Sequence, residues 1–397
     1  MGRIGIYGGT FNPPHMGHLQ AAQYAIEALR LDKLLMIPTN ISPHKVMAEG
    51  SPSPENRLEM VWLCLQDVPR AQASDIELRR EGPSYTWQTV TQLRQEYPED
   101  ELYLLMGTDM FLGFESWREP DRITAEATLA VFYRGDKNEI ADIEAQKAKM
   151  EQASVRVILV KNPVLEISST QLRRMLVLQC ASEFLHPDVE QYIRQNDFYD
   201  TGRSPKQLPL EELEQIVISL LKPNRVAHVL GCRQAAVELA KRWGVDETDA
   251  ARAALLHDIT KALDGPLQLT LSRAYGMILD EFSIRNTKTL HALTGSWVAK
   301  RIFGENDAVV SAIASHTTGK PGMNLLETII YVADYMEPNR DFPGVEPLRQ
   351  MAYTDIYGAL KMGLNMTITM LQQQGREISP ESAQTLAWLE QEERKRV

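Results

Sequence analysis

The sequence predicts two joined folds: an α/β domain built on a mostly parallel sheet with helices on both faces, then an all-α domain. Three observations lead there. Up to about residue 199, short apolar runs alternate with helical patterns, and such alternation builds a parallel sheet covered on both sides. From Leu210 onward helix periodicity runs almost without a break. At 397 residues the chain exceeds what one ordinary core organises, so two domains are expected. Their expected bounds are residues 1–199 and 208–397. Between them, residues 200–207 (Asp200-Thr201-Gly202-Arg203-Ser204-Pro205-Lys206-Gln207) form a short polar linker carrying glycine and proline.

In the first half, strands are expected at Arg3–Tyr7, Lys33–Pro38, Ala71–Leu78, Glu101–Gly107, Thr128–Tyr133 and Arg156–Val160. Helices are expected at Leu19–Leu31, Pro54–Val68, Thr86–Tyr97 and Asn138–Ala153. Ser53-Pro54 supplies a cap followed by proline at the first helical position. In the second half the pattern predicts helices at Leu210–Leu221, Asn224–Trp243, Glu247–Leu263, Asn286–Phe303, Ala308–Ser315, Leu325–Met336 and Glu346–Gln374.

Composition narrows the class. The chain is 44% apolar and 24% charged, with no apolar run long enough to span a bilayer, so no membrane is expected. Cys64, Cys180 and Cys232 lie far apart in apolar surroundings, which predicts buried thiols and a cytoplasmic setting. A net charge of −11 argues against a nucleic-acid partner. A homo-oligomer stays open.

The unusual residues of the first half gather at expected strand ends, where open α/β sheets bind ligands. Gly8-Gly9-Thr10-Phe11-Asn12-Pro13-Pro14-His15-Met16-Gly17-His18 follows the first strand and opens a helix. Its glycines let backbone approach a ligand, the helix start favours a phosphate, and His15 and His18 can donate to developing negative charge. After the second strand comes His44-Lys45, expected at a phosphate; after the fourth comes Asp109, a helix cap or a ribose partner. After the last comes Ile167-Ser168-Ser169-Thr170-Gln171-Leu172-Arg173, hydroxyls at a helix start followed by an arginine, as in a phosphate cradle.

Gly8–His18 carries the T/H-x-G-H-type signature of the nucleotidyltransferase superfamily, and Ile167–Arg173 resembles its I-S-S-T-x-x-R signature. With His44-Lys45, Ser84-Tyr85-Thr86, Gly107-Thr108-Asp109, Trp117 and Tyr192-Ile193, residues 1–199 resemble bacterial nicotinate mononucleotide adenylyltransferases. Tyr133-Arg134-Gly135 departs mildly from the Arg-Pro-Gly of that pattern. The resemblance implies a Rossmann-like fold and adenylyl transfer from ATP to nicotinate mononucleotide with Mg²⁺. His15, His18, Lys45 and Arg173 would then align and neutralise the phosphates. Ser169 and Thr170 would hold ATP. Tyr85, Thr86 and Trp117 would receive the nicotinate nucleotide, although Tyr85 and Trp117 fit a plain core equally well. Another adenylyl- or cytidylyltransferase on the same fold is the rival.

The second half offers His228, His257, Asp258, His291, His316 and Asp334. Asp334 sits between Val332-Ala333 and Tyr335-Met336, and His257-Asp258 follows Ala253-Ala254-Leu255-Leu256, settings where burial needs a cation or donor. Imidazoles and carboxylates from several helices suit iron or manganese. Read on one continuous helix, His257 and Asp258 point about 100° apart, and Lys261 lies one turn on, toward a substrate phosphate. The His…His-Asp…Asp order resembles the HD phosphohydrolase superfamily. Leu256-His257-Asp258-Ile259-Thr260-Lys261, Ser315-His316-Thr317 and Glu337-Pro338-Asn339-Arg340 make it similar to bacterial HD-type symmetrical diadenosine tetraphosphate hydrolases over about residues 208–395.

That family implies a di-iron centre. His228, His257, Asp258 and Asp334 match its core ligands, and His291 and His316 match those of the second metal. Val229 and the Leu290-His291-Ala292-Leu293 setting depart from its pattern. Arg225, Lys261, Arg285 and Arg340 are the phosphate-chain candidates of diadenosine tetraphosphate. Rivals are an HD enzyme acting on other nucleotides and a non-catalytic nucleotide sensor.

Overall fold

A computed structural model describes residues 2–43, 47, 50–133, 137–161, 167–202 and 204–396. The chain divides into two compact units, residues 1–203 and 204–397. Among the described residues no helix is long and apolar enough to cross a membrane.

The first unit is built on strands β1 (Arg3–Gly9), β2 (Lys33–Pro38), β3 (Ala71–Ala73), β4 (Glu101–Gly107), β5 (Ala127–Tyr133) and β6 (Val157–Lys161). All pair in parallel, in the order β3-β2-β1-β4-β5-β6. Ile6 of β1 lies between Leu35 of β2 and Leu104 of β4. The order reverses between β1 and β4, which leaves a crevice at the carboxyl ends of those two strands. Buried Ile4, Ile6, Leu35, Ile37, Leu102, Leu104, Leu129 and Val131 form the centre of the core. A sheet covered on both faces needs such near-continuous apolar strands.

Its helices are α1 (Met16–Ala28), α2 (Pro54–Cys64), α3 (Thr86–Glu96), α4 (Thr108–Leu112), α5 (Pro120–Glu126), α6 (Lys137–Gln152), α7 (Ser169–Val177) and α8 (Pro187–Gln195). The expected cap of α2 is present, Ser53 Oγ accepting from Asn56 N–H at 3.3 Å. The strand expected at Ala71–Leu78 ends at Ala73 instead. From Asp75 the chain turns, its carbonyl accepting from Leu78 and Arg79 N–H, and β3 remains a three-residue edge.

The second unit is helical: α9 (Leu210–Leu220), α10 (Pro223–Trp243), α11 (Glu247–Leu256), α12 (Gly265–Ala274), α13 (Glu281–Arg285), α14 (Leu290–Val298), α15 (Asp307–Ser315), α16 (Leu325–Met336), α17 (Val345–Ala352), α18 (Ile356–Gln373) and α19 (Pro380–Arg396). Asp246, Asp264, Asp280, Asn306, Asn324 and Asp355 each cap a helix through a side-chain oxygen. α10 packs on α11 and α16, presenting His228, Cys232, Ala235, Ala236 and Leu239 as a buried stripe.

Several expected helices are shorter than their periodicity suggests: the one expected over 54–68 ends at Cys64, and the one expected over 286–303 is α-helical only over Leu290–Val298. The helix expected over 247–263 stops at Leu256. Beyond it, the Thr260 carbonyl is taken at 2.6 Å by the buried Gln268 side chain, and main-chain bonds tighten to i+3 steps such as Lys261 N–H to Asp258 O. The helix expected over 346–374 is broken at 353–355, where Asp355 caps α18 through Gly358 N–H.

Candidate active sites

Gly8 and Gly9 end β1 at the reversal crevice. A Cβ at Gly8 would meet nothing within 4 Å among the described residues, so bare backbone is open to a ligand there. At Gly9 a Cβ would press on the Phe11 ring at 3.0 Å. Phe11 adopts φ +44° and is buried, its ring edge-on to Tyr7 and His18. His15 stands just before α1, and the His15 and His18 rings stack with centroids 3.6 Å apart. The His15 backbone N–H donates to His18 Nδ1 at 3.2 Å, so a neutral His18 carries its proton on Nε2. Burial lowers the His15 imidazole to about 4, which keeps it neutral at physiological pH. Its Nδ1 is buried with no hydrogen-bond partner among the described residues.

The loop at 10–13 is held from several directions. Arg173 Nη1 donates to Asn12 O at 2.7 Å, and Ser169 Oγ donates to Pro13 O at 3.3 Å. The two anion motifs, about 150 residues apart in sequence, therefore meet at one loop. Ser168 caps α7 and forms a reciprocal box with Gln171. Thr170 Oγ1 accepts from Arg173 Nη2 at 3.2 Å, and Ile167 is buried just before the cap. Tyr199 donates to Asn12 Oδ1 at 2.7 Å, and Asn12 Nδ2 donates to Ser51 Oγ.

Arg57 of α2 is a residue that sequence reasoning missed. It is 2% exposed and donates to Thr10 O, Thr39 O and Asn40 O, tying the loop after β1 to the loop after β2. Nothing in the pattern Asn56-Arg57-Leu58 distinguishes it from a solvated helix arginine.

Tyr85 precedes α3, with the Arg118 guanidinium over its ring at 4.7 Å; Thr86 begins that helix. The preceding Ser84 bonds to the loop after β2, its N–H donating to Ile41 O and its Oγ accepting from Asn40 N–H. Asp109 lies exposed in the first turn of α4, directly after β4. Trp117 packs on Phe114 at 5.2 Å. Tyr192 reaches Asn56 Oδ1 at 3.0 Å. His44, Lys45, Arg134 and Gly135 lie outside the described residues.

In the second unit His228, from α10, and Asp334, from α16, meet His257 and Asp258 just past α11, His291 of α14 and His316 just past α15. His228 Nε2 lies 3.1 Å from Asp334 Oδ1 and 3.4 Å from His257 Nε2. Asp258 divides its oxygens: Oδ2 faces His228 and His257 at 3.8 and 3.6 Å, and Oδ1 faces His291 and His316 at 3.3 and 3.9 Å. His291 and His316 bring their Nε2 atoms to 3.1 Å. Because α11 ends at Leu256, His257 and Asp258 leave the helix through a tightening turn rather than from one continuous helical face.

The donor set fits a transition metal. Nδ1 of His257, His291 and His316 lies 2.6–2.7 Å from the carbonyls of Ala254, Lys288 and Ile313. This places the proton on Nδ1 and leaves Nε2 lone pairs facing inward. Burial drives His257 and His291 well below the usual range and His316 to about 4, so these rings are neutral. Facing lone pairs at such distances repel unless a cation lies among them. Burial opposes the charge on Asp334, but the hydrogen bond with His228 and the Arg340 guanidinium favour it, and its carboxyl is held well below the usual range. His228–His257–Asp334 and His257–Asp258–His316 are groups whose donors converge closely enough to hold an ion.

Cationic side chains ring the cluster. Arg225 bonds to Asp258, and Arg340 donates to Asp334 Oδ1 at 2.8 Å. Lys261, lowered to about 8 by burial, lies 2.9 Å from His291 Nε2. Arg285 is the exception among the phosphate candidates: it forms exposed ion pairs with Glu377 and Glu281.

Comparison with known proteins places both units. Residues 6–175 match the cytidylyltransferase-like family and residues 225–339 the HD domain family. The "Probable nicotinate-nucleotide adenylyltransferase" of Thermomicrobium roseum is 38% identical over 202 residues, 51% of this chain and 93% of that protein. The symmetrical bis(5'-nucleosyl)-tetraphosphatase of Halalkalibacterium halodurans is 40% identical over 172 residues, 43% of this chain and 91% of that protein. A solved "predicted HD superfamily hydrolase involved in NAD metabolism" from Clostridium acetobutylicum is 35% identical, covering 47% of this chain and 98% of that one, with a TM-score of 0.46.

Proposed function

Since the chain belongs to the nicotinate-nucleotide adenylyltransferase family through its first half and to the HD family through its second, we propose a bifunctional enzyme of NAD biosynthesis. The first half transfers AMP from ATP to nicotinate mononucleotide, giving nicotinate adenine dinucleotide and pyrophosphate. The second hydrolyses diadenosine tetraphosphate symmetrically to two ADP. The convergence of the His15–His18 pair with Arg173 and Ser169 on loop 10–13 carries the first reading.

In adenylyl transfer the attacking phosphate oxygen is already ionised at neutral pH, so no general base is needed. The work is alignment of two anions and neutralisation of charge at the α-phosphate. His15, neutral, and His18 beside it donate N–H groups to that charge, and Arg173 with the α7 start holds the ATP phosphates. Mg²⁺ accompanies ATP, and Lys45 and His44 are assigned to its phosphates by their sequence motif. Asp109 takes the ribose. Tyr85, Thr86 and Trp117 take the nicotinate nucleotide.

In the second unit, His228, His257, Asp258 and Asp334 would hold one metal, and Asp258, His291 and His316 another, iron or manganese by their mixed N/O chemistry. Such a pair, when bound, supplies Lewis acidity and water activated near neutral pH. Arg225, Lys261 and Arg340 bind the phosphate chain and orient it. Arg285 is not assigned to it, being engaged by Glu377 and Glu281.

One experiment separates the activities. His18→Ala in the intact chain is expected to lower adenylyl transfer by about 10²–10³-fold and spare hydrolysis. Asp258→Ala is expected to do the reverse. Pyrophosphate release is followed with a panel of acceptors, and ADP by chromatography. Activity with phosphopantetheine but not nicotinate mononucleotide would overturn the first assignment. Absence of ADP from diadenosine tetraphosphate would overturn the second.

A further inference from the structure

We infer that Glu337 is the positioning residue of His228 and makes the His228 pocket the first of the two to take up metal. The inference rests on the metal-dependent reading of the second unit. His257, His291 and His316 each turn Nδ1 to a main-chain carbonyl three residues earlier, in Ala254, Lys288 and Ile313. His228 is held differently. Its Nδ1 meets the Glu337 carboxylate at 3.1 Å, from a residue 109 positions away.

Glu337 is itself fixed. It is 1% exposed, and its second oxygen accepts from Asn339 N–H at 2.7 Å and Asn339 Nδ2 at 2.9 Å. Arg340 Nε lies 3.9 Å from the first oxygen. Gly231, one helical turn from His228, leaves the space: a Cβ there would collide with the Glu337 carboxylate. Asp334 precedes Glu337 by three residues, so the end of α16 presents both acids. One meets each nitrogen of the His228 ring, Asp334 at Nε2 and Glu337 at Nδ1.

A carboxylate on Nδ1–H orients an imidazole and strengthens its other nitrogen as a donor, more than a neutral carbonyl does. The His228 pocket therefore has Asp334 as a ligand and Glu337 behind it. The His291–His316 pocket shares only Asp258 Oδ1 and has the Lys261 ammonium 2.9 Å from His291 Nε2. At the first pocket the carboxylates of Asp258, Asp334 and Glu337 face the guanidiniums of Arg225 and Arg340, an excess of negative charge that favours a cation. At the second, Asp258 Oδ1 alone faces Lys261, with no such excess.

The test uses the intact protein, stripped with a chelator and titrated with Co²⁺ by calorimetry and visible absorption. Wild type is expected to bind in two steps, tight then weak. Glu337→Gln, nearly isosteric and uncharged, is expected to weaken the tight step by about 10–100-fold and leave the weak step and its absorption unchanged. Asn339→Ala, which loosens Glu337 without touching a ligand, is expected to give a smaller loss at the same step. Two equal steps in wild type, or a tight step untouched in both variants, would overturn the inference. No Co²⁺ uptake by wild type would remove the metal centre itself, and the inference with it.

Discussion

Burial holds the His15 imidazole near 4, whereas in an unfolded chain it takes a proton near 6.5. Between those values the unfolded state binds the proton that the folded one refuses. Stability from this residue is thus full above about pH 6.5 and lost as pH falls toward 4, a loss of roughly 3 kcal/mol. Denaturant midpoints of the first unit between pH 7 and 4 measure it, and His15→Gln should flatten that limb. Arg57 makes a different demand: truncation to Met would strip partners from the carbonyls of Thr10, Thr39 and Asn40. We expect a loss of about 3 kcal/mol and a fall in adenylyl transfer, since both loops border the crevice. Unchanged denaturation of Arg57→Met would count against that clamp. Neither effect was legible in the sequence. An arginine on a helix reads as solvated until the fold shows that three loop carbonyls surround it.

Caps were the most readable features among the elements. Ser53-Pro54 and the hydroxyls at 168–170 declare helix starts chemically, and the structure has helices there. Removing the Ser168 cap by Ser168→Ala should cost about 1 kcal/mol and raise the KM for ATP more than it lowers kcat, because the frayed turn is a binding element. An unchanged KM would separate that cap from ATP binding. Helix ends without such chemistry were misread. Periodicity carried the 247–263 helix past Leu256, but Gln268, a residue outside the window, takes the Thr260 carbonyl and helps hold the tightened turn. The strand expected to Leu78 likewise ends early, because an edge strand has only one neighbour to extend it.

At the scale of the molecule, limited proteolysis near 200–207 is expected to release two pieces that each keep their own thermal transition and their own activity. Joint loss of both transitions would contradict it. The alternation of apolar runs with helical patterns was enough, without any contact, to determine the α/β class of the first half, and sustained helical periodicity determined the helical second half. Residue chemistry also marked which motifs to watch, because phosphates and metals demand particular side chains whatever surrounds them. Only tertiary structure decided the strand order with its reversal between β1 and β4, the meeting of residues 12 and 173, and the division of Asp258 between two histidine groups. It also decided the Glu337 support behind His228. Local pattern records what a segment buries. Which distant segment lies against it depends on packing across the whole core, and no short window of sequence contains that.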